Sequence, residues 1–361
     1  MQIIGHLKLS YLTYNHHAMR IAIVYNERPS NLDRHDPTLE KLIEGDEWKT
    51  TQAIGEAVHS LGHQCMYYKI TDDIYERLKA DKQHLDLVFN LSEGINDSKD
   101  REAHIPMLCE ILKIPYTGPS PLSAALILNK SRAKEIWRAN GLTTAASQLL
   151  HNTNDKLLNT LTFPLIVKPN GEGSGIGIKD TSVVNNKKEF TVAVHNIINH
   201  YHQPALVETY LSGREFTVAI VGNDLDLTVL PIIEINFAAF PLGSVPIDSY
   251  DAKFVYGATG MSDMHATEFC PAILNKRLEK KIVDLSKAAY LAIGCRDFGR
   301  LDIRLDAHDE PHVLEINHPP GLMSDPAESS FFTISARTYG WDFPTLINKI
   351  LNSAILRLNL N

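Results

Sequence analysis

The sequence predicts an α/β chain whose front is a parallel α/β layer and whose later parts are α+β, built around hairpins. Three observations carry that expectation. Strand-like and helix-like segments alternate from Arg20 to about residue 120, the pattern of a parallel sheet with helical crossovers. The texture changes at Pro121, where a basic helical stretch leads to a strand that enters a glycine-rich loop. Near the C-terminus, GRLDIRLDAHDEPHVLEINHPPG (residues 299–321) alternates polar and apolar residues on both sides of a polar turn, as a β-hairpin does.

The bulk properties narrow the class. A chain of 361 residues can bury two or three domain cores. Hydrophobic residues at 44% and charged residues at 22% are ordinary for a soluble globular protein. The net charge of −8 argues against a general nucleic-acid binder, which needs a basic surface. The opening MQIIGHLKLSYLTYNHHAMR holds no apolar run long enough for a signal peptide or a spanning helix, so no membrane partner is expected. Cys65, Cys109, Cys270 and Cys295 have neither zinc spacing nor disulfide density, which suits the reducing cytoplasm. The first clear strand starts directly after Met19, so residues 1–18 read as an extension or an upstream start outside the fold.

In order, RIAIVY is the first strand, followed by a helix over residues 46–61 that stops at Gly62, and by the strand CMYYKI. LDLVFNL (residues 85–91) reads as a buried parallel strand whose end places Ser92, Glu93 and Gly94 where such sheets bind ligands; a plain loop explains those three equally well. REAHIPMLCEILKI is a helix. Residues 123–141 read as one basic helix carrying Lys130, Arg132, Lys134 and Arg138. FPLIVK enters PNGEGSGIGI, whose glycines at 171, 173, 175 and 177 leave backbone amides free to wrap phosphate oxygens or simply make a flexible turn. A helix near residues 187–201 precedes the strands ALVETYL and REFTVAIV, with Glu208 and Glu215 flanking the turn between them. Then come DLTVLPIIEINF, the loop SYDAKFV with Lys253, a helix over residues 274–293, the hairpin, and closing helices that include residues 343–356.

The hairpin carries the chemistry. Its first strand puts Arg300, Asp302 and Arg304 on one face, and its second puts Val313, Glu315 and Asn317 on one face with Leu314 and Ile316 opposite. Two carboxylates about 4 Å apart repel by roughly 4 kcal/mol at an effective dielectric near 20. A divalent cation offsets that cost, because Mg²⁺ favours carboxylate and amide oxygens and leaves its other positions to water and phosphates. A solvated face, its acids paired with Arg300 and Arg304, is the alternative. His16, His17 and His318 have no ligand spacing and read as surface or loop residues.

Six segments in a fixed order resemble the D-alanine–D-alanine ligase family of ATP-grasp enzymes: PYTGPSPLSAALILNK, FPLIVKPNGEGSGIG, LVETYLSGREFTV, YDAKF, GRLDIR and LEINHPPG. The resemblance covers roughly residues 85–355. It implies an ATP-grasp fold with an N-terminal domain at 19–122, a central domain at 123–214 and a catalytic domain at 215–361, the nucleotide lying between two antiparallel sheets. It further implies ATP and Mg²⁺ (or Mn²⁺), amino-acid substrates and a homodimer. Position by position, Lys130 and Lys168 resemble phosphate-contacting lysines, and Gly173, Ser174 and Gly175 belong to the flap over the triphosphate. Glu208 resembles the acid at the adenine edge, Glu215 the ribose acid, and Lys253 a further phosphate lysine. Arg300 resembles the arginine at the oxyanion, and Asp302, Glu315 and Asn317 the metal ligands. The implied activity is ATP-dependent formation of an amide or peptide bond through an acyl phosphate.

The substrate end departs from that family. Where its first strand usually runs into a GG-x-S-x-E loop, this chain has YNERPSNLDRHD, with Glu27 at a different spacing. Ser92, Glu93 and Gly94 replace a histidine-glycine pair, and the flap's serine pair becomes Ser174-Gly175. LMSDPAESSFF is longer than its counterpart, which points to Ser330 and Phe331, or Ser329, for the second substrate's carboxylate. The alternatives to a D-alanine-specific enzyme are therefore a ligase for other amino acids and, from a different class, a nucleotide-binding module without catalysis.

Overall fold

The computed structural model describes residues 18–29, 39–40, 43–95, 98–254, 267–328 and 330–360. The expected extension at residues 1–18, apart from Ala18, and the candidate Ser329 lie outside them, as do His16 and His17. The chain opens with β1 (Arg20–Tyr25), α1 (Trp48–Ser60), β2 (Gln64–Lys69), α2 (Ile74–Asp81), β3 (Leu87–Leu91) and α3 (His104–Leu112). β1 lies between β2 and β3 in a three-stranded parallel sheet, with Ile23 opposite both Tyr67 and Phe89. Ile21 to Tyr25 are buried because helices cover both faces. Ile54 and Val58 of α1 pack with Ile21, Ile23 and Phe89, while Leu78 of α2 and Ile105 of α3 pack with Ala22, Val24 and Val88.

The basic stretch expected as one helix is two, α4 (Pro121–Leu128) and α5 (Lys130–Ala139). Asn129 interrupts them at φ −86°, ψ 89°, and its side chain accepts from the Arg132 amide. That is an N-cap, which short polar side chains favour because it satisfies an otherwise orphaned donor. Then follow β4 (Ser147–Leu150), β5 (Leu165–Pro169), β6 (Val183–Val184), α6 (Lys187–His200) and β7 (Ala205–Thr209). The four strands form an antiparallel sheet in the order β4-β7-β5-β6. The glycine-rich loop joins β5 to β6 as two tight turns, with Ile176 N–H donating to Gly173 O (3.0 Å) and Ile178 N–H to Gly175 O (2.9 Å). Gly175 adopts φ +75°, and Ile176 is anchored in the core beneath.

The last part holds β8 (Glu215–Asn223), β9 (Asp226–Val229), β10 (Ile233–Ile235), α7 (Tyr250–Phe254), β11 (Glu268–Phe269), α8 (Lys276–Ala292), β12 (Phe298–Leu305), β13 (Pro311–Asn317), α9 (Phe331–Tyr339) and α10 (Phe343–Leu358). Its six-stranded sheet runs β11-β10-β8-β12-β13, with β9 paired to β8. Within the segment expected as the loop SYDAKFV, Tyr250–Phe254 is instead one helical turn, α7, in which Lys253 N–H donates to Ser249 O at 3.1 Å. The hairpin's second strand also departs from strict alternation. Asp302 pairs with Glu315, but Ile303 pairs with Val313, so Leu314 is an extra residue in a β-bulge. The bulge turns Val313 into the core beside Leu301, Ile303 and Ile316, correcting its expected place on the polar face. Phe332 of α9 and Ile347, Ile350 and Leu351 of α10 join the core of β1 and β3, so the two ends of the chain share one interior.

Asp297 fixes the junction of these parts. Its fully buried carboxylate accepts from Arg357 at 2.7 and 2.9 Å, from Asn223 and from the Gly118 amide at 2.7 Å. Gly118 sits at φ +94°, and a Cβ there would stand 2.3 Å from the His318 ring. Gly118→Ala is therefore expected to lower the unfolding free energy by about 1–3 kcal/mol, from strain and overpacking together. Urea denaturation measures it, and an unchanged midpoint would show that the ring yields freely.

Candidate active site

Two adjoining cavities lie at the polar face of the hairpin. The smaller, about 70 Å³, is bounded by Ile166, Lys168 and Glu208 from the four-stranded sheet and by Glu215, Asp302 and Leu314 from the six-stranded one. The larger, about 370 Å³, takes in Lys130, Gly173, Ser174, Arg300, Asn317 and Phe331. Asp248, Lys253 and Glu315 border both. The bulged Leu314 is thereby turned from the core into the inter-sheet cleft.

Four cations converge on Glu315. Lys130 Nζ is 3.4 Å from its Oε2, and Lys168, Lys253 and Arg300 add to the field. Burial pushes the Glu315 carboxyl up, but these cations outweigh it and hold the group at about 2. Lys253 also pairs with Asp248 (3.0 Å), and Lys130 donates to the Glu172 carbonyl in the glycine-rich loop. Cations gathered at one place in a cleft suit a polyphosphate.

Glu208 is wholly buried between Lys134 (2.9 Å) and Lys168 (3.1 Å). Burial pushes its carboxyl up and the two lysines pull it below the usual range. Glu215 is held by Arg304 at 2.7 Å, whose guanidinium lies 5.1 Å from the ring centres of both Tyr210 and Phe237. The alternative of a solvated Arg304 gives way to a buried one. Lys134 and Arg304 were residues that sequence reasoning did not assign to the site. The signal existed: Lys134 is one helical turn from Lys130, and Arg304 is two residues from Asp302 on the same strand face.

Asp302, Glu315 and Asn317 come together as the alternation predicts. Asp302 accepts from Thr217 (2.8 Å), from Asn317 Nδ2 (3.0 Å) and from Arg300 (3.1 and 3.2 Å). Among the described residues no cluster of three or more Asp, Glu, His or Cys side chains is placed to hold a metal. Two carboxylates and one amide fit Mg²⁺ nonetheless, since that ion takes few protein ligands and completes its shell with water and phosphate oxygens. Asn317, beside Asp302, completes that donor set.

At the substrate end, Glu93, Ser330 and Phe331 all line the larger cavity. Ser330 Oγ–H donates to Gly321 O at 2.7 Å, and Phe331 lies under the Arg300 guanidinium, 5.6 Å from it. Glu27 does not reach the cavity; it pairs with Lys69 at 2.5 Å. Asp46 and Glu102 line it instead, neither of them expected, together with Glu172 of the glycine-rich loop. His318, expected on the surface, is buried against Phe298 (ring centres 4.7 Å apart) and borders the cavity. Burial holds its imidazole down to about 3, hence neutral.

Two antiparallel sheets closing on a cleft that gathers Lys130, Lys168, Lys253 and Arg300 define an ATP-grasp protein. The family model for the D-ala D-ala ligase C-terminus matches residues 136–352. The chain is 35% identical over 270 residues to the uncharacterized protein y4sG of Sinorhizobium fredii (74% of each chain) and 32% identical over 252 residues to the D-alanine–D-alanine ligase of Bordetella petrii (69% of this chain, 71% of that one). Its fold superposes on the crystal structure of D-alanine–D-alanine ligase from Bacillus anthracis complexed with ATP with a TM-score of 0.69, at 20% identity, covering 94% of this chain and 98% of that one. The chain belongs to the D-alanine–D-alanine ligase family, and by that membership it is an ATP-dependent, ADP-forming ligase. No helix among the described residues is long and apolar enough to cross a membrane.

Proposed function

We propose that the protein joins a carboxylate to an amine through an acyl phosphate, making an amide or peptide bond between two amino acids. The observation that carries this reading is the convergence of Lys130, Lys168, Lys253 and Arg300 on Glu315, in a cleft that also holds Asp302 and Asn317. A carboxylate is a poor electrophile. Passing the γ-phosphoryl group of ATP to one of its oxygens releases ADP and makes the acyl carbon attackable. Lys130, Lys168 and Lys253 neutralise the triphosphate and the developing charge, while Gly173, Ser174 and Gly175 cover it and keep water from the acyl phosphate. Glu208 and Glu215 face the nucleoside, at the adenine edge and the ribose hydroxyls respectively. Asp302, Glu315 and Asn317 would hold Mg²⁺, or Mn²⁺, which when bound offsets charge on the phosphates.

The amine then attacks the acyl carbon with its lone pair, and Arg300 stabilises the tetrahedral oxyanion before phosphate leaves. Glu93 serves the ammonium end, and Ser330 and Phe331 the second substrate's carboxylate. The intact cation set speaks against an inactive nucleotide-binding module, which would need neither Arg300 nor the paired carboxylates. The four thiols are free, in keeping with the cytoplasm, where ATP is supplied. From the family we also take a homodimer as the working assembly. The test is phosphate release with ATP and Mg²⁺ across D- and L-amino acids, singly and in pairs, with mass spectrometry of the products. Amino-acid-stimulated release with a condensed product is expected, and basal release that no amino acid stimulates would end the reading.

A further inference from the structure

The larger cavity is bordered by acids that the nucleotide machinery does not use. Glu102, from the turn Arg101–Ala103, is only 8% exposed, lines the cavity, and has an Oε2 without a hydrogen-bond partner among the described residues. Glu93 and Asp46 line the same cavity, and Glu93 feels the charge of both Glu102 and Asp46. The nearby cations are already engaged. Arg101 is held by Glu44 at 2.7 Å and Glu172 at 3.3 Å, and Arg28 by Glu47 at 3.2 Å. Among the described residues no ion pair includes Glu102, Glu93 or Asp46.

A buried carboxylate without a partner is costly, and Glu102 is one; Glu93 and Asp46 add negative charge to the wall of the same cavity. Burial pushes Glu102 up to about 8, Asp46 to about 6 and Glu93 well above the ordinary carboxylate range; at Glu93 the charges of Glu44, Glu102 and Asp46 add to it, and at Glu102 the pull of Arg101 and Lys130 does not cancel it. They are thus poised to ionise when a positive charge arrives. An α-ammonium brings one such charge, and three acids can balance more.

The geometry points to a substrate with a second positive charge: Glu102, with Glu93 and Asp46, selects a basic, diamino amino acid over its neutral isostere. This rests on the ligase reading and adds the class of one substrate to it. Glu102 is a specificity residue here, acting on the side-chain ammonium rather than on the reacting atoms.

The test compares kcat/KM of phosphate release for each diamino acid with that for its neutral isostere at pH 7.5: 2,4-diaminobutyrate against 2-aminobutyrate, and lysine against norleucine, in both hands. The wild type is expected to favour one diamino acid by about tenfold or more, the scale of a charge-assisted contact. Glu102→Gln should bring that ratio close to one, chiefly by raising KM for the diamino acid. The ratio is internal to each preparation, so partial misfolding cancels, and Glu93→Gln reads the same quantity if Glu102→Gln does not fold. A wild-type ratio near one, or a ratio that survives in both variants, overturns the inference. Turnover of neutral amino acids at equal rates leaves the ligase reading standing, whereas no stimulation by any amino acid removes both.

Discussion

Glu315→Gln is expected to lower kcat for amino-acid-dependent phosphate release by about 10²–10³-fold, the range seen when one preorganised charge or donor is taken from a transition state. Glu315 is ionised at every working pH, because Lys130, Lys168, Lys253 and Arg300 hold its carboxyl at about 2 against the opposing effect of burial. Glutamine keeps the shape and removes that charge. One of the two carboxylates proposed to hold Mg²⁺ is lost, and the four cations are left to repel one another. The affinity for a non-hydrolysable ATP analogue should fall less than kcat, since the lysines that meet the phosphates remain. Calorimetry of the analogue beside the rate assay separates the two effects. A variant turning over at the wild-type rate would show that Glu315 does not act at the metal.

The hairpin was legible because period-two alternation is geometric: Arg300 and Asp302 had to share a face, and Asn317 and Glu315 meet them across the ladder. The same rule failed at Val313, where the bulge at Leu314 inserts an unpaired residue, and nothing in a run of apolar residues marks which one is extra. Asn129 broke the basic helix for a reason that was readable, its capping preference, yet a helix over 123–141 satisfied the same apolar spacing. Of the acids at the substrate end, Glu93 was legible from the end of its strand, but Asp46 and Glu102 were not. Asp46 lies in the approach to α1 and Glu102 in a turn before α3, and only the fold brings two such loops to one cavity. His318 was misplaced similarly, because burial by Phe298 and Gly118 is a tertiary fact.

Glu208→Gln is expected to destabilise the fold by about 3–5 kcal/mol at pH 7, the cost of leaving buried charge without its partner. Glu208 is the counter-ion of both Lys134 and Lys168, and Lys134 is completely buried, donating also to Thr144 at 2.8 Å. Thr144 in turn donates to Val313 O at 2.6 Å, so the loss should loosen the contact between the central sheet and the hairpin. The pH dependence follows from the signs. Glu208's folded pKa is depressed, so its contribution is present above the usual carboxylate range and is lost as pH falls below that range through the depressed folded pKa. Lys134's folded pKa is also depressed, to about 8, chiefly by burial, so the cost of its charge is felt below that pH and is relieved above it. Without Glu208 the relief should begin lower still, because the opposing charge that sustains the ammonium is gone. The deficit of Glu208→Gln relative to wild type should therefore shrink between pH 7 and pH 9, as read from urea unfolding midpoints at each pH. A deficit below about 1 kcal/mol at pH 7, or one that grows with pH, would mean that the two lysines find other partners and that the triad is not what holds β7 against α5.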